Sequence, residues 1–223
     1  EINILVIEKL STSAQESTGA FNNAGTGHAA NCELNYTPLD ENNLINIKKA
    51  LLINNSFEES LNIWAYLYER GQINIKNFLT FVPHISFVNN VEDVAFLKKR
   101  YELMKKCREF EDMEFTTSYE EIYNWSPLII KNRDKKQKIA ATRIKRGTDI
   151  NFEALAKEYF QYLSKKSNVE ISYNTNLLNL KRIKNNKWEL YLNKDGNKKI
   201  LKANFVFIGA GGKTINLLQK SNI

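Results

Sequence analysis

Three short stretches bring together residue types able to do chemistry on a ligand. Asn22-Asn23-Ala24-Gly25-Thr26-Gly27-His28 combines two glycines with amide, hydroxyl and imidazole groups. The glycines let backbone N–H groups approach a ligand more closely than any side chain permits. The amides and the hydroxyl add donors and acceptors suited to a heterocycle edge or a pyrophosphate. Glu8 closes the apolar run Ile4-Leu5-Val6-Ile7. An acid at the carboxyl end of a buried strand is what a dinucleotide-binding fold uses to hold an adenosine ribose diol. Such a charged hydrogen bond is worth about 1.5–3 kcal/mol, and the same charge would repel a 2′-phosphate. Third, Phe205-Val206-Phe207-Ile208 reads as a buried strand running into the close-approach turn Gly209-Ala210-Gly211-Gly212. Each stretch also has a plainer reading: a strand-end Glu facing water, a glycine turn beside a surface His, and a junction common to many α/β folds.

Ordinary elements must position these residues. Residues 3–8 form a short continuous apolar run, the pattern of a buried parallel strand. Residues 9–42 are rich in small and polar residues and read as an ordered loop. Leu44, Ile47, Leu51, Leu61, Trp64 and Tyr68 fall at helical spacing, and Gly71 closes that segment. Residues 78–88 read as extended. Asn90 can cap a second helix, with Glu92 and Asp93 in its first turn and Val94, Leu97, Tyr101 and Met104 as its apolar stripe. A short helical turn over 119–124 stops before Pro127, and 139–144 is a strand. The clearest helix begins after Asp149 or Asn151, with Phe152, Leu155, Ala156, Tyr159, Phe160 and Leu163 on one face. Runs at 169–173, 177–183, 188–192 and 200–208, broken at Asn185-Asn186 and Asp195-Gly196, predict a β-meander with tight hairpin turns. Parallel and antiparallel elements are mixed, so an α/β (α+β mixed) chain of two subdomains fits better than one regular βαβ array.

Composition narrows the classes. The chain has 223 residues, 43% hydrophobic and 26% charged, with 9 Gly and 3 Pro. This argues against wholesale disorder and excludes collagen-like and Pro-rich architectures. No apolar run approaches the roughly 20 residues that span a bilayer. Cys32 and Cys107 cannot build a disulfide framework and neither lies in a CxxC pair, so a reducing compartment is expected. The net charge of +7 raises nucleic acid as a partner. The basic clusters at 131–138, 181–187 and 198–202 read as turns and strand edges, however, and the interleaved aromatics of an RNA-binding sheet are missing. A solvated lysine surface is favoured, with an anionic membrane as a further reading. The first residues already lie in a strand, without Met or a signal-peptide pattern, so the chain reads as a piece of a longer one.

The stretch from Ala14 to Pro38, AQESTGAFNNAGTGHAANCELNYTP, resembles the signature region of the FAD-dependent malate:quinone oxidoreductases. WAYL at 64–67, VPHISFV at 82–88, VAFLKKR at 94–100, GTDINFEAL at 147–155, FVFIGAGG at 205–212 and LLQKS at 217–221 agree with that family in order and spacing. More broadly, the order resembles flavoprotein oxidases of the D-amino-acid oxidase type. The resemblance implies a Rossmann-type FAD-binding domain, residues 1–72 and 147–223, interrupted by part of a substrate domain, residues 73–146. The family's chains are considerably longer, and their amino-terminal glycine turn has no counterpart here. Weak or absent FAD binding and no turnover are therefore expected of these residues alone.

By that resemblance, Glu8 binds the FAD ribose, and Ser17, Asn22, Asn23, Gly25, Thr26 and Gly27 line the flavin and its phosphates. Leu177 and the strand before it put a backbone edge against adenine, and Gly209, Gly211 and Gly212 return the chain to the cofactor. The implied reaction oxidises (S)-malate to oxaloacetate, with hydride passing to FAD, a base taking the hydroxyl proton, and a quinone receiving the electrons. His28 and His84 are the candidates for base or orienting donor. Arg143 is the candidate cation for a malate carboxylate. The last two also read as a satisfied core histidine and a surface arginine. No metal is implied. The implied setting is peripheral, at the cytoplasmic face of the bacterial inner membrane. Alternatives are a related FAD-dependent 2-hydroxy-acid oxidoreductase, for example one acting on 2-hydroxyglutarate, and, remotely, a basic nucleic-acid-binding module.

Overall fold

Cap residues and apolar stripes fix the helices, and turn chemistry fixes the hairpins. The structure is a computed structural model and describes residues 2–223. In chain order the elements are β1 (Ile4–Ile7), α1 (Lys48–Glu69), β2 (Leu79–Phe81), β3 (His84–Val88), α2 (Val91–Met104), β4 (Glu114–Thr116), α3 (Tyr119–Trp125) and α4 (Pro127–Ile130). They continue with β5 (Ala140–Ile144), β6 (Thr148–Ile150), α5 (Phe152–Leu163), β7 (Val169–Ser172), β8 (Thr175–Arg182), β9 (Trp188–Lys194), β10 (Asn197–Ala203) and α6 (Thr214–Lys220). The chain divides into two compact units, one formed by the residues up to Asn23 with Phe152–Ile223, the other by Ala24–Asn151.

In the first unit β1 runs parallel to β7, Ile4 opposite Val169 and Ile7 opposite Ser172. The strand at 3–8 is thus parallel, as its sequence suggests, but it is not buried: Ile4 is 46% and Leu5 37% exposed. Only β7 pairs with it among the described residues, and a strand with one neighbour covers one edge. Strands β8, β9 and β10 form the antiparallel meander. Its turns place Asn185, Asn186, Asp195 and Gly196 at positive φ, the conformation that two-residue hairpins demand. The expected strand over 200–208 stops at Ala203, opposite Trp188. Trp188 is the first residue of β9, so the ladder runs out there. Phe205 and Phe207, read from sequence as buried, are 78% and 84% exposed, because no described strand pairs with that segment.

The second unit holds a three-stranded antiparallel sheet, β3-β5-β4, and the pair β2-β6. Strand β3 alternates buried and half-buried residues, and β5 is buried over most of its length. Asn90 caps α2 by accepting a hydrogen bond from Asp93 N at 2.7 Å. Ser118 does the same for α3. Leu97 and Met104 on the inner stripe of α2 are fully buried. The main core cluster is Ala30, Ala50, Met104, Phe110, Met113 and Ile144. A second cluster joins Ile122 to Ile139 and Ala141. Strands β4 and β6, three residues each, escaped the sequence reading because so few residues show no periodicity.

Core position, not residue type, decides the cost of truncation. Phe110 is fully buried, whereas Leu128 is 82% exposed. Phe110→Ala is expected to cost about 3–5 kcal/mol through lost burial and a residual cavity, and Leu128→Ala to stay within about 0.5 kcal/mol. Urea unfolding followed by circular dichroism reads both.

Candidate functional site

In the Ala24–Asn151 unit, the glycine motif lies against β6. Gly27 N donates to Thr148 O at 2.9 Å and Ile150 N donates to Gly25 O at 2.5 Å. Thr26 bridges Asp149 in antiparallel fashion. A Cβ on Gly27 would lie 1.9 Å from Thr148 Oγ1 and 2.8 Å from Phe57 Cζ. Gly25 has φ +65°, and its Cβ would meet Asp149 Oδ1 at 2.7 Å. One close approach that these glycines permit is therefore to the chain's own strand.

His84 belongs to the same ladder. Its Nε2 lies 2.9 Å from Thr148 O and 3.1 Å from Thr148 N. The side chain is buried, and Nδ1 has no hydrogen-bond partner. Gly147 makes room for it, since a Cβ there would sit 2.3 Å from His84 Cδ2. His28 is in a different situation. Its side chain is 52% exposed, and Nδ1 lies 3.2 Å from Glu33 Oε1 and 3.3 Å from the Tyr36 hydroxyl.

Arg143, on β5, donates Nε to Glu114 Oε2 at 2.6 Å, and its Nη2 is equally close to that oxygen. The guanidinium also lies over the Trp125 ring, 4.3 Å from its centre. Lys145 adds a contact of 3.0 Å to Glu114 Oε1. Burial acts to raise the Glu114 pKa, but hydrogen bonds from Lys145 and Arg143 outweigh it and hold the carboxyl below the usual range.

One charged residue of this unit escaped the sequence reading. Arg100 is fully buried on α2. It donates Nε to Thr37 Oγ1 and Nη2 to Ala30 O, each at 3.1 Å, while Nη1 has no partner. Burial lowers its pKa to about 10, against the opposing pull of Cys32 and Glu33. Burial first, and Glu33 next, push the Cys32 thiol up to about 12. The sequence does carry a signal: position 100 lies three residues after Leu97 and four before Met104, within the apolar stripe.

In the other unit Glu8 follows β1 directly. Its N–H donates to Ser172 O and its carbonyl accepts from Thr175 N, both at 2.9 Å. One carboxylate oxygen accepts from Leu10 N at 2.9 Å. Asn22 Nδ2 donates to Glu16 O at 2.6 Å, and Asn23 Nδ2 to Ser17 O at 3.1 Å and Gly19 O at 2.9 Å. Both amides thus close the 16–23 turn, which Ala20 N ties to Glu153 Oε2 at 2.9 Å. Leu177 is half-buried opposite Leu192, beside a bulge in β8. Gly209 has only the Phe207 ring within 4 Å of a would-be Cβ. Gly211 (φ +51°) and Gly212 have nothing within that distance, so their backbone faces open space. An acid at the end of a parallel strand and an open glycine backbone fit a dinucleotide.

This architecture recurs in solved structures. It matches glycine oxidase from Geobacillus kaustophilus with a TM-score of 0.67 and 16% identity, covering 97% of this chain and 50% of that one. It matches the dithionite-reduced L-α-glycerophosphate oxidase from Mycoplasma pneumoniae, solved with FAD bound, at 0.61 and 17%, covering 98% and 50%. The fold is therefore that of the D-amino-acid-oxidase-like flavoproteins. The chain belongs to the malate:quinone oxidoreductase (Mqo) family, whose model matches residues 1–223. It is 60% identical over 223 residues to the probable malate:quinone oxidoreductase of Prochlorococcus marinus strain MIT 9515, and 59% identical to that of strain MIT 9312. It spans all of itself but 45% of the length of these curated relatives.

Two measurements test the local packing. Gly27→Ala is expected to lose about 1–3 kcal/mol of unfolding free energy by overpacking against Thr148 and Phe57. Cys32 is expected to react with iodoacetamide at pH 8 about a thousandfold more slowly in the folded protein than in urea. The rise from 9.0 to about 12 removes that much thiolate. Peptide mass spectrometry separates Cys32 from Cys107.

Proposed function

We propose that the full-length protein containing this chain oxidises (S)-malate to oxaloacetate, with FAD as its redox group and a membrane quinone as electron acceptor. The family match over all 223 residues carries this reading. FAD, when bound, supplies the hydride acceptor and the route of electrons onward. The chain's own residues bind, orient and move a proton. Glu8 holds ribose hydroxyls with the carboxylate oxygen that Leu10 N leaves unused. Gly209, Gly211 and Gly212 present open backbone to the dinucleotide, and the Leu177 backbone meets the adenine. Ser17, Asn22 and Asn23 line the cofactor from the turn that the two amides close, and Gly25, Thr26 and Gly27 are the lining positions held along β6.

Of the two histidines, His28 has the geometry of a base. With its proton on Nδ1, the ring donates to the Tyr36 hydroxyl, Glu33 lies 3.2 Å away, and Nε2 is left to take the malate hydroxyl proton. His84 is spent on Thr148 and acts by holding the ladder. Glu114 grips one edge of the Arg143 guanidinium and leaves Nη1 for a malate carboxylate. No helix among the described residues is long and apolar enough to cross a membrane. The quinone is met from the cytoplasmic membrane surface, as a peripheral protein.

The test is a dye-coupled assay of the full-length enzyme, comparing malate with 2-hydroxyglutarate. Malate is expected to be the better substrate. His28→Gln is expected to lower kcat by about 10²–10⁴-fold with flavin content unchanged. Preference for 2-hydroxyglutarate would overturn the malate assignment, and a His28→Gln enzyme at full rate would remove the base from this chain's motif.

A further inference from the structure

The segment around α4 carries charge that the fold does not use. Between Pro127 and Lys138 there are five basic side chains against Asp134 alone. Arg133 is engaged internally: Nε donates to Ile129 O at 2.9 Å and Nη1 to Gln137 Oε1 at 2.8 Å, and the guanidinium lies 4.7 Å from the Phe87 ring centre. The Asp134 carboxylate accepts from Lys136 N at 2.9 Å and shapes the turn. Lys131, Lys135, Lys136 and Lys138 remain exposed, with no ion pair among the described residues.

The same segment displays apolar surface. Ile129 and Ile130 pack inward on the Ile122 cluster, which leaves Leu128, on the same turn, 82% exposed. Tyr123 on α3 is 53% exposed. The Tyr119 hydroxyl donates to Asp134 O at 2.5 Å and Gln137 O at 3.0 Å, so the lysine loop is fastened to α3. A rigid apolar tip ringed by unpaired lysines is complementary to a surface with an apolar layer just beneath an anionic one. Nucleic acid offers the phosphates but nothing for Leu128.

We propose that the Pro127–Lys138 segment docks the protein on an anionic lipid bilayer, with Leu128 entering the acyl region and the four lysines at the level of the phosphates. The proposal deepens the peripheral reading above and rests on it. Each lysine near such a surface changes partitioning about fivefold at low salt.

The test is co-sedimentation of the full-length enzyme with vesicles of equal parts phosphatidylcholine and phosphatidylglycerol, and with phosphatidylcholine alone. Wild type is expected to bind the mixed vesicles and to be released by salt. Lys135→Glu with Lys136→Glu is expected to weaken binding about 25-fold or more, and Leu128→Asp to weaken it even where the charge is intact. Lys198→Glu with Lys199→Glu makes the same charge change on β10 and is expected to stay within about twofold of wild type. Equal losses in the two double variants, unchanged binding by the α4 variants, or duplex DNA displacing the vesicles would each overturn the proposal. Malate oxidation with a water-soluble dye, measured on the same preparations, separates the two readings. A wild type that turns over malate but binds no vesicles sinks the docking surface alone, and one that binds through α4 without turnover sinks the reaction alone.

Discussion

Two backbone hydrogen bonds at the neck of the Ala24–Asn151 unit govern much of its architecture. Gly27 N to Thr148 O and Ile150 N to Gly25 O join its first residues to its last. A long excursion of chain thereby begins and ends at one place. Closure costs rise only slowly with length, so a neck of a few bonds can hold a large unit if its geometry is tight. Tightness is what the glycines provide, since no side chain fits between them and β6. The constraint spreads outward from there. Val82 N bonds to Gly147 O, β2 pairs along β6, and His84 reaches Thr148. Residues that suggest ligand chemistry in the sequence are thus also parts of one ladder.

Past the neck, a buried cation organises the loop that follows. Arg100 takes the Ala30 carbonyl and the Thr37 hydroxyl and so pins both ends of the segment containing Cys32 and Glu33. Burying a guanidinium costs several kcal/mol unless charges and acceptors offset it. The nearby acid does part of that work, and Glu33 in turn faces His28. The charged groups thus run in a line from the core to the surface: Arg100, then Glu33 near it, then His28 at 3.2 Å from Glu33. Cys32 lies inside this arrangement as a protonated thiol, in keeping with a structural role.

Much of the fold is legible because local chemistry determines it. Asn90 and Ser118 cap their helices as short polar residues do, and Asn185-Asn186 and Asp195-Gly196 take the positive φ their hairpins require. Illegible parts depend on partners distant in the chain. An apolar run such as Ile4–Ile7 or Phe205–Ile208 is buried only if strands flank it on both edges, and a run of apolar letters does not say whether they do. The purpose of a glycine is hidden for the same reason: Gly27 and Gly212 look alike in sequence, yet one is pressed against Thr148 and the other faces open space. Arg100 was masked by its neighbours, since long charged side chains in a helix are usually solvated.

The two histidines stand in different relations to the ladder: His84 is bonded to Thr148, and His28 is half exposed beside Glu33. His84 Nδ1 is buried with no hydrogen-bond partner. Its other nitrogen cannot leave Thr148 without loosening the neck that places Gly25 and Gly27. His28 carries neither burden. Its ring is half in solvent, and Glu33, five residues on, lies 3.2 Å from Nδ1. Because His28, Cys32 and Glu33 lie in one short run beside Arg100, the proposed base, the acid near it and the buried cation are specified together. The base role proposed for His28 therefore asks for no rearrangement of the ladder, which His84 holds.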